Sequence, residues 1–434
     1  MIDEADAVQP ATAAARGGSQ RAEVAMRQAF VDVLVAVRSV IRQPRRSAMG
    51  FLAVGMGVLA YLLAAGFIEW MYYGLREGTI KSGLGHLQVN REGYRAGGRA
   101  DPYRYLLPDG SARQAALETL PGVVTVAPRL AFSGLASVGD ATISFIGEGI
   151  VPEREGALAG SVDVVAGKAL RSDDPDGILL GQGLARTLQA KEGDPVVLLV
   201  TTQAGGVNAV EGRVRGIFST VTKAYDDTAL RVTLPLAQRL LRTQGAHTWV
   251  VLLDDTTRTD VVARELRTQL AGSGLEVNTW RDLADFYTKS VALLSRQVTV
   301  MKWMIGVIII LGISNTLFMN VTERTGEIGT AMALGAKRRQ ILRRFVVEGV
   351  VIGALGGLAG VALGTLLAHA ISQVGIPMPP PPGMARGYVA EIMVTWSIVL
   401  DAVLLALVTT LVASIIPAWR ASRMNIVAAL RSAR

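Results

Sequence analysis

The chain has 434 residues, half of them hydrophobic, with 44 lysines and arginines against 36 acidic residues and no cysteine. The missing cysteine excludes a disulfide framework, a thiolate metal site and a cysteine nucleophile. The net charge of +8 would suit nucleic acid only if it were concentrated on one surface, whereas residues 69–296 carry 25 basic and 26 acidic side chains and are close to neutral. The excess lies in residues 1–48 (7 basic, 5 acidic), in 319–344 (6 and 2) and in the tail from Pro417 (4 and none), each beside an uncharged run. Positive residues flanking apolar spans remain on the cytoplasmic side, so the basicity reports topology and no nucleic-acid partner is expected.

Residues 1–20, rich in Ala, Gly, Gln and Ser, have too few apolar side chains to order and read as disordered. Residues 21–46 follow a helical period with Met26, Phe30, Val33, Leu34 and Val37 on one side, the pattern of an amphipathic helix lying along the cytoplasmic membrane face. Pro44 is expected to break it and Arg45 and Arg46 to meet headgroups. Residues 47–68 then form an uncharged run that meets the roughly 20 residues needed to cross a hydrocarbon core about 30 Å thick. It begins too late and runs too long for a cleaved signal peptide.

The 228 residues 69–296 mix short β-like and helical patterns. Strands are expected near 86–89, 123–126, 141–147, 196–202, 207–218, 229–233 and 249–253, and helices near 112–120, 183–189, 236–242 and 260–271. Gly205-Gly206, within 203–208, marks a hairpin tip. Further spans follow at 297–322, 345–376 and 394–416, separated by a basic cytoplasmic segment at 323–344 and an outer loop at 377–393 whose Pro377 to Pro382 stretch holds five prolines. The tail 417–434 is cytoplasmic. The expected fold is thus a membrane protein of four transmembrane α-helices, one plus three, with a large α+β domain between the first and second. Both termini face inward and the domain faces outward.

No Gly-rich loop ends in Gly-Lys-Ser/Thr, so the sequence offers no usual nucleotide cradle and any energy must come from another subunit. His86, His247 and His369 stand apart at spacings that make no metal set and read as structural or surface residues. The pairs Asp173-Asp174, Asp226-Asp227 and Asp254-Asp255 read as turns. In the third span, Gly349, Gly353 and Gly357 form one four-residue series and Gly356, Gly360 and Gly364 another, the spacing that lets helices approach closely in lipid. Glu348 opens that span within reach of Arg343 and Arg344. Asp401, inside the fourth, is either part of a polar seam or near a shallow helix start, and Asn315 is expected to bond a neighbouring helix. Tyr61, Phe67, Met301, Met304 and Ile308 are candidates to line an apolar cavity for acyl chains. The segment Glu323-Arg324-Thr325-Gly326-Glu327-Ile328-Gly329, continued by Met332-Ala333-Leu334-Gly335-Ala336 and a basic run, sets Ile328, Met332 and a Leu-Gly-Ala knob beside charges, a shape suited to a groove in a soluble partner.

These residues resemble the FtsX/MacB-type permease family of ABC transporters. The resemblance is carried by 323–341, by Ile416-Pro417-Ala418-Trp419-Arg420-Ala421-Ser422-Arg423 with Val427 to Arg431, and by Arg42 to Ser47. Leu84 to Val89 and Ile178 to Ala185 with Glu192-Gly193-Asp194 are similar to the lipoprotein-releasing LolC/LolE branch. The resemblance implies a bacterial inner-membrane permease without catalytic chemistry of its own. It implies two copies of an ATPase that hold ATP and Mg, a second permease subunit, identical or different, and a MacB-like periplasmic domain. Glu323 to Gly329 and Leu334 to Ala336 would contact the ATPase, and Gly326, where many relatives carry a basic residue, would loosen a salt bridge there. No ATPase-like segment precedes the first span in this sequence, unlike the MacB proteins, and the outer domain is larger than that of division-type FtsX. The implied task is to move a lipoprotein or other amphiphile from the outer leaflet to a periplasmic carrier. An efflux or secretion pump acting through an adaptor, and a signalling scaffold that transports nothing, remain the alternatives.

Overall fold

A computed structural model describes Arg38 and residues 44–431, apart from 99, 109, 159–161, 221–222 and 380–386. The disordered segment expected at 1–20, nearly all of the amphipathic helix expected at 21–46 and most of the proline run lie outside the described residues. In chain order the principal elements are α1 (Pro44–Thr79), β1 (Leu87–Arg91), α2 (Ala112–Glu118), β2 (Val123–Val138), β3 (Ala141–Ile150), α3 (Pro152–Glu155), β4 (Asp163–Gly167), β5 (Gly177–Gly181), α4 (Gln182–Leu188), β6 (Pro195–Thr201) and β7 (Val207–Ser219). They continue with β8 (Ala229–Thr233), α5 (Leu234–Leu241), β9 (Thr248–Leu253), α6 (Thr259–Gln269), β10 (Leu275–Thr279), α7 (Asp285–Glu323), α8 (Thr325–Ala333), α9 (Arg338–Val374), α10 (Trp396–Ser422) and α11 (Ile426–Arg431). Two compact units result, one holding the described residues up to Trp70, Leu294–Ile376 and those from Ala390 onward, the other Met71–Leu293 with Pro377–Val389.

Among the described residues, α1, α7, α9 and α10 are the four helices long and apolar enough to cross a membrane. All four exceed the uncharged runs in the sequence, because helical hydrogen bonding continues past the stretch that needs lipid. The break expected at Pro44 concerns the helix before it, which lies outside the described residues; as described, α1 begins at Pro44. The two glycine series of α9 face different helices. A methyl at Gly349, Gly353 or Gly357 would strike Ser414, Thr410 or Ala406 of α10, which recur at the same four-residue step. A methyl at Gly356 or Gly360 would meet Phe51, Val54, Gly55 or Val58 of α1, and Gly364 lies over Leu59 and Leu62. Helix α9 is therefore wedged between α1 and α10 at backbone-limited distance, as small-residue packing allows.

The second unit is built on a sheet ordered β10-β1-β9-β2-β3-β8-β5-β7-β4, with β6 bridging β2 and β7. Its spine is β2, whose Val123–Arg129 stretch pairs antiparallel with β9 while Leu130–Val138 pairs antiparallel with β3. Each half carries its own core. One gathers Leu130, Phe132, Phe145, Ile178, Leu184 and Leu230, and the other Leu87, Val89, Val126, Trp249, Val251 and Leu266. Helix α5 buries Leu234, Leu236, Leu240 and Leu241 against the first core, each such side chain stabilising the fold by about 1.5–3 kcal/mol. The expected hairpin at Gly205-Gly206 joins β6 and β7. Strands β4, β5 and β10 and the far half of β2 were not expected. Every residue of β4 is exposed, so it shows no alternation, and β5 is a short buried run between glycines.

Candidate functional site

Helix α7 ends where Arg324 leaves helical geometry (φ −98, ψ 17), and the short α8 turns back before α9 begins. Ile328 and Met332 pack with Val321, Ile341, Phe345 and Ala418 in a small core of their own, and Gly329 is buried beside them. This corrects the expectation that Ile328 and Met332 project toward a partner. The amphipathic stripe of α8 is used to fasten the elbow to α7, α9 and α10, and α11 packs on it as well. What faces outward is Glu323, Glu327, Leu334 and Gly335, with Leu334 85% exposed and Ala336 half-buried. Gly335 has φ +99 with open space around it, a conformation glycine adopts without strain, and it lets the chain reverse while Leu334 stands clear.

Arg324 holds the elbow from inside. Its Nε donates to Glu327 Oε2 at 3.0 Å and its Nη1 to Glu348 Oε2 at 3.4 Å. Glu348 is 4% exposed, and Arg324 reaches it across the elbow. Thr325 donates to the Thr322 carbonyl at 2.7 Å and Thr330 to that of Gly326 at 2.9 Å, so hydroxyls occupy carbonyls at the helix break.

Of the five cavity candidates, the structure does not gather a single wall. Tyr61 is buried among the helices, Phe67 is half-buried and stacks on Trp70, and Met301 is half-buried. Met304 and Ile308 are more than half exposed on the outer face of α7. A cavity of about 620 Å³ in this unit is lined by other residues, among them Thr365, Ala368, Ser372, Ile392 and Val399. Its wall before α10 has no regular secondary structure, and the Ile392 and Met393 N–H groups donate to Ser372 Oγ (2.9 Å) and the Gly66 carbonyl (3.0 Å). Those bonds satisfy backbone groups that neither helix would cover.

Asp401 belongs to a polar seam. Its Oδ2 accepts from Tyr61 Oη of α1 at 3.0 Å and from Lys302 Nζ of α7 at 2.8 Å, joining three of the four long helices at one carboxylate. Lys302 was missed in the sequence, where nothing marked a single lysine beside Trp303 as a partner of Asp401. Asn315 faces outward, contrary to expectation, while Asn320 is the buried asparagine of α7. In the outer domain His247 is buried, accepts from the Ala131 N–H at 3.2 Å, lies 3.1 Å from the Pro102 carbonyl and stacks on Tyr94. Burial pushes its pKa down to about 4, since the hydrogen bond to the Pro102 carbonyl offsets only part of the lost hydration.

Comparison with known proteins follows this division. Residues 300–426 match the model of the FtsX-like permease C-terminal region, and residues 47–269 that of the MacB-like periplasmic core domain. An uncharacterized ABC transporter permease of Methanocaldococcus jannaschii is 25% identical over 62% of this chain and 65% of its own length. The macrolide export ATP-binding/permease protein MacB of Hyphomonas neptunium is 34% identical over 48% of this chain, and the match spans only 30% of that protein. The lipoprotein-releasing system transmembrane protein LolC of Xylella fastidiosa is 29% identical over 65% of this chain and 72% of its own length.

Proposed function

The chain belongs to the FtsX-like permease family with a MacB-like periplasmic core domain, and on that premise we propose that it relays work done by a separate ATPase to the periplasmic domain. It is a permease component of an ABC-type transporter. The observation that carries the proposal is the elbow 323–336, whose apolar stripe is consumed internally while Glu323, Glu327, Leu334 and Gly335 face outward. A rigidly fastened elbow with one exposed apolar knob receives a push without yielding to it. Each of two such elbows, in a homo- or heterodimer of permeases, meets one of two ATPase copies that bind ATP and Mg. The elbow and both termini lie in the cytoplasm, the outer domain in the periplasm.

The substrate is a lipoprotein or another amphiphile, taken from the outer leaflet of the inner membrane toward a periplasmic carrier. The LolC similarity, which extends over 65% of this chain, supports this reading. The MacB similarity favours a second one, a pump that works through a periplasmic adaptor on macrolide-like or other soluble cargo. Gentle-detergent copurification separates them, with an ATPase, a second permease copy and lipidated cargo expected. An adaptor and outer-membrane channel in their place would favour the pump, and the absence of any ATPase would refute the relay.

A further inference from the structure

Helix α1 runs into a single π turn, Ile80–Leu84, before the first strand, and Gly83 there has φ +135. The Gly83 carbonyl accepts from Arg129 Nη1 at 2.6 Å, while Nε and Nη2 of the same guanidinium donate to the two carboxylate oxygens of Glu155, both at 2.7 Å. The Arg129 and Glu155 side chains are 9% and 6% exposed. The φ of +135 is one that side-chain-bearing residues rarely adopt, so the position calls for glycine, and an added methyl would stand 2.9 Å from Nη1.

Arg129 occupies a special place on β2. Its pairing with Thr248 is the last to β9, and the pairing of Leu130 with Gly149 is the first to β3. Glu155 ends α3, which follows β3 out of one core and is fastened beside the other. Arg154 donates to the Val126 carbonyl at 2.8 Å and pairs with Glu118 of α2, and Leu158 packs with Ile80, Ala127 and Trp280. A second pair, Arg231 with Glu148 at 3.2 Å, flanks the first. A cavity of about 470 Å³ beside them is bordered by Gly83, Arg129, Glu148 and Tyr225.

Apolar side chains of similar volume would stabilise this junction as well as a buried ion pair does, so stability alone does not call for charge here. A guanidinium adds direction, because its planar fork fixes the angles of every group it holds. We propose that Arg129 is a positioning residue that locks the extension of α1 to both cores of the outer domain, so that displacement of Ile80–Leu84 reaches β2 at its changeover point and is not absorbed at Gly83. The significance for transport rests on the relay proposed above, but the lock itself can be tested without an ATPase.

The cysteine-free chain accepts specific spin labels. Cysteines at Gly74 on α1, Asp140 in the β2–β3 turn and Thr268 on α6, all exposed, are introduced pairwise into the full chain in lipid nanodiscs and read by pulsed electron paramagnetic resonance. Three narrow distance distributions are expected, and Arg129→Ala broadens all three, those involving Gly74 about twofold. The charge swap Arg129→Glu with Glu155→Arg re-forms the ion pair but places no donor from position 129 on the Gly83 carbonyl. It therefore restores the 140–268 width and leaves both Gly74 distances broad. Unchanged Gly74 distances in Arg129→Ala, or a swap that restores all three, would overturn the lock. If Arg129→Ala is not recovered folded, the swap decides alone. With a copurified ATPase, the swap is then expected to retain basal turnover and lose about tenfold in coupled transport. Full coupling in a swap with broadened distances would refute the relay while leaving the lock standing.

Discussion

Gly360→Ala and Gly364→Ala differ by one helical turn on the same face of α9, and the packing assigns them opposite outcomes. At Gly360 the added methyl would lie 2.6 Å from the Gly55 carbonyl and 2.8 Å from Val58 Cβ, atoms of the α1 backbone or rigidly attached to it. The helices must separate or tilt, and overpacking of this kind costs about 1–3 kcal/mol. At Gly364 the nearest atom is Leu59 Cα at 3.5 Å, an ordinary contact. There the better helix propensity of alanine, up to about 1 kcal/mol over glycine, leaves stability equal or improved. Thermal melting of the full chain in mild detergent, with disulfide trapping between cysteines placed on α1 and α9, measures both. Equal effects of the two substitutions, or loss only at Gly364, would refute wedge packing of α9 against α1.

Asp401→Asn should lower the melting midpoint and Lys302→Met should partly restore it in the double variant, by about 1 kcal/mol, because both side chains remain partly exposed. Additive effects would deny the seam. Leu334→Asp and Glu327→Lys are expected to abolish transport-coupled ATP turnover with membrane insertion intact, since both side chains are exposed and outside the apolar elbow core, Glu327 touching the elbow only through its pair with Arg324. Normal coupled turnover in both variants would remove the docking assignment. His247 titrates at about 4 when folded against an ordinary 6.5, so the unfolded chain binds the extra proton between those values. Its contribution, on the order of 3 kcal/mol, is present above pH 6.5 and is lost as pH falls toward 4. Denaturant unfolding of the full chain at pH 7.5 and 5 should show the loss, and His247→Gln should flatten it. An equal pH slope in the variant would exclude His247 as its source.

The four spans were legible because a hydrocarbon core demands long uncharged runs, and the glycine series because lipid-phase packing leaves small residues in register. Seven strands of the outer domain showed as short β-like runs, several bounded by Gly or Asp. The rest failed for specific reasons. Arg129, Arg231 and the pair Glu148 and Glu155 come from three separate segments and acquire meaning only when β2 joins the two halves of the sheet. Lys302, a single lysine in the second span, carried no signal until Asp401 and Tyr61 appeared beside it. The elbow was found, but periodicity does not tell which partner an apolar stripe meets, and Ile328 and Met332 meet their own chain.

The central claim is that the elbow and the outer domain lie on opposite sides of one membrane, so that a push on the first can move the second. Single cysteines at Asp140 and Leu334, both exposed, test it with a membrane-impermeant maleimide on spheroplasts. The account expects label on Asp140→Cys in intact spheroplasts and on Leu334→Cys only after the membrane is opened. Labelling of both before opening, or of Leu334→Cys alone, would contradict it.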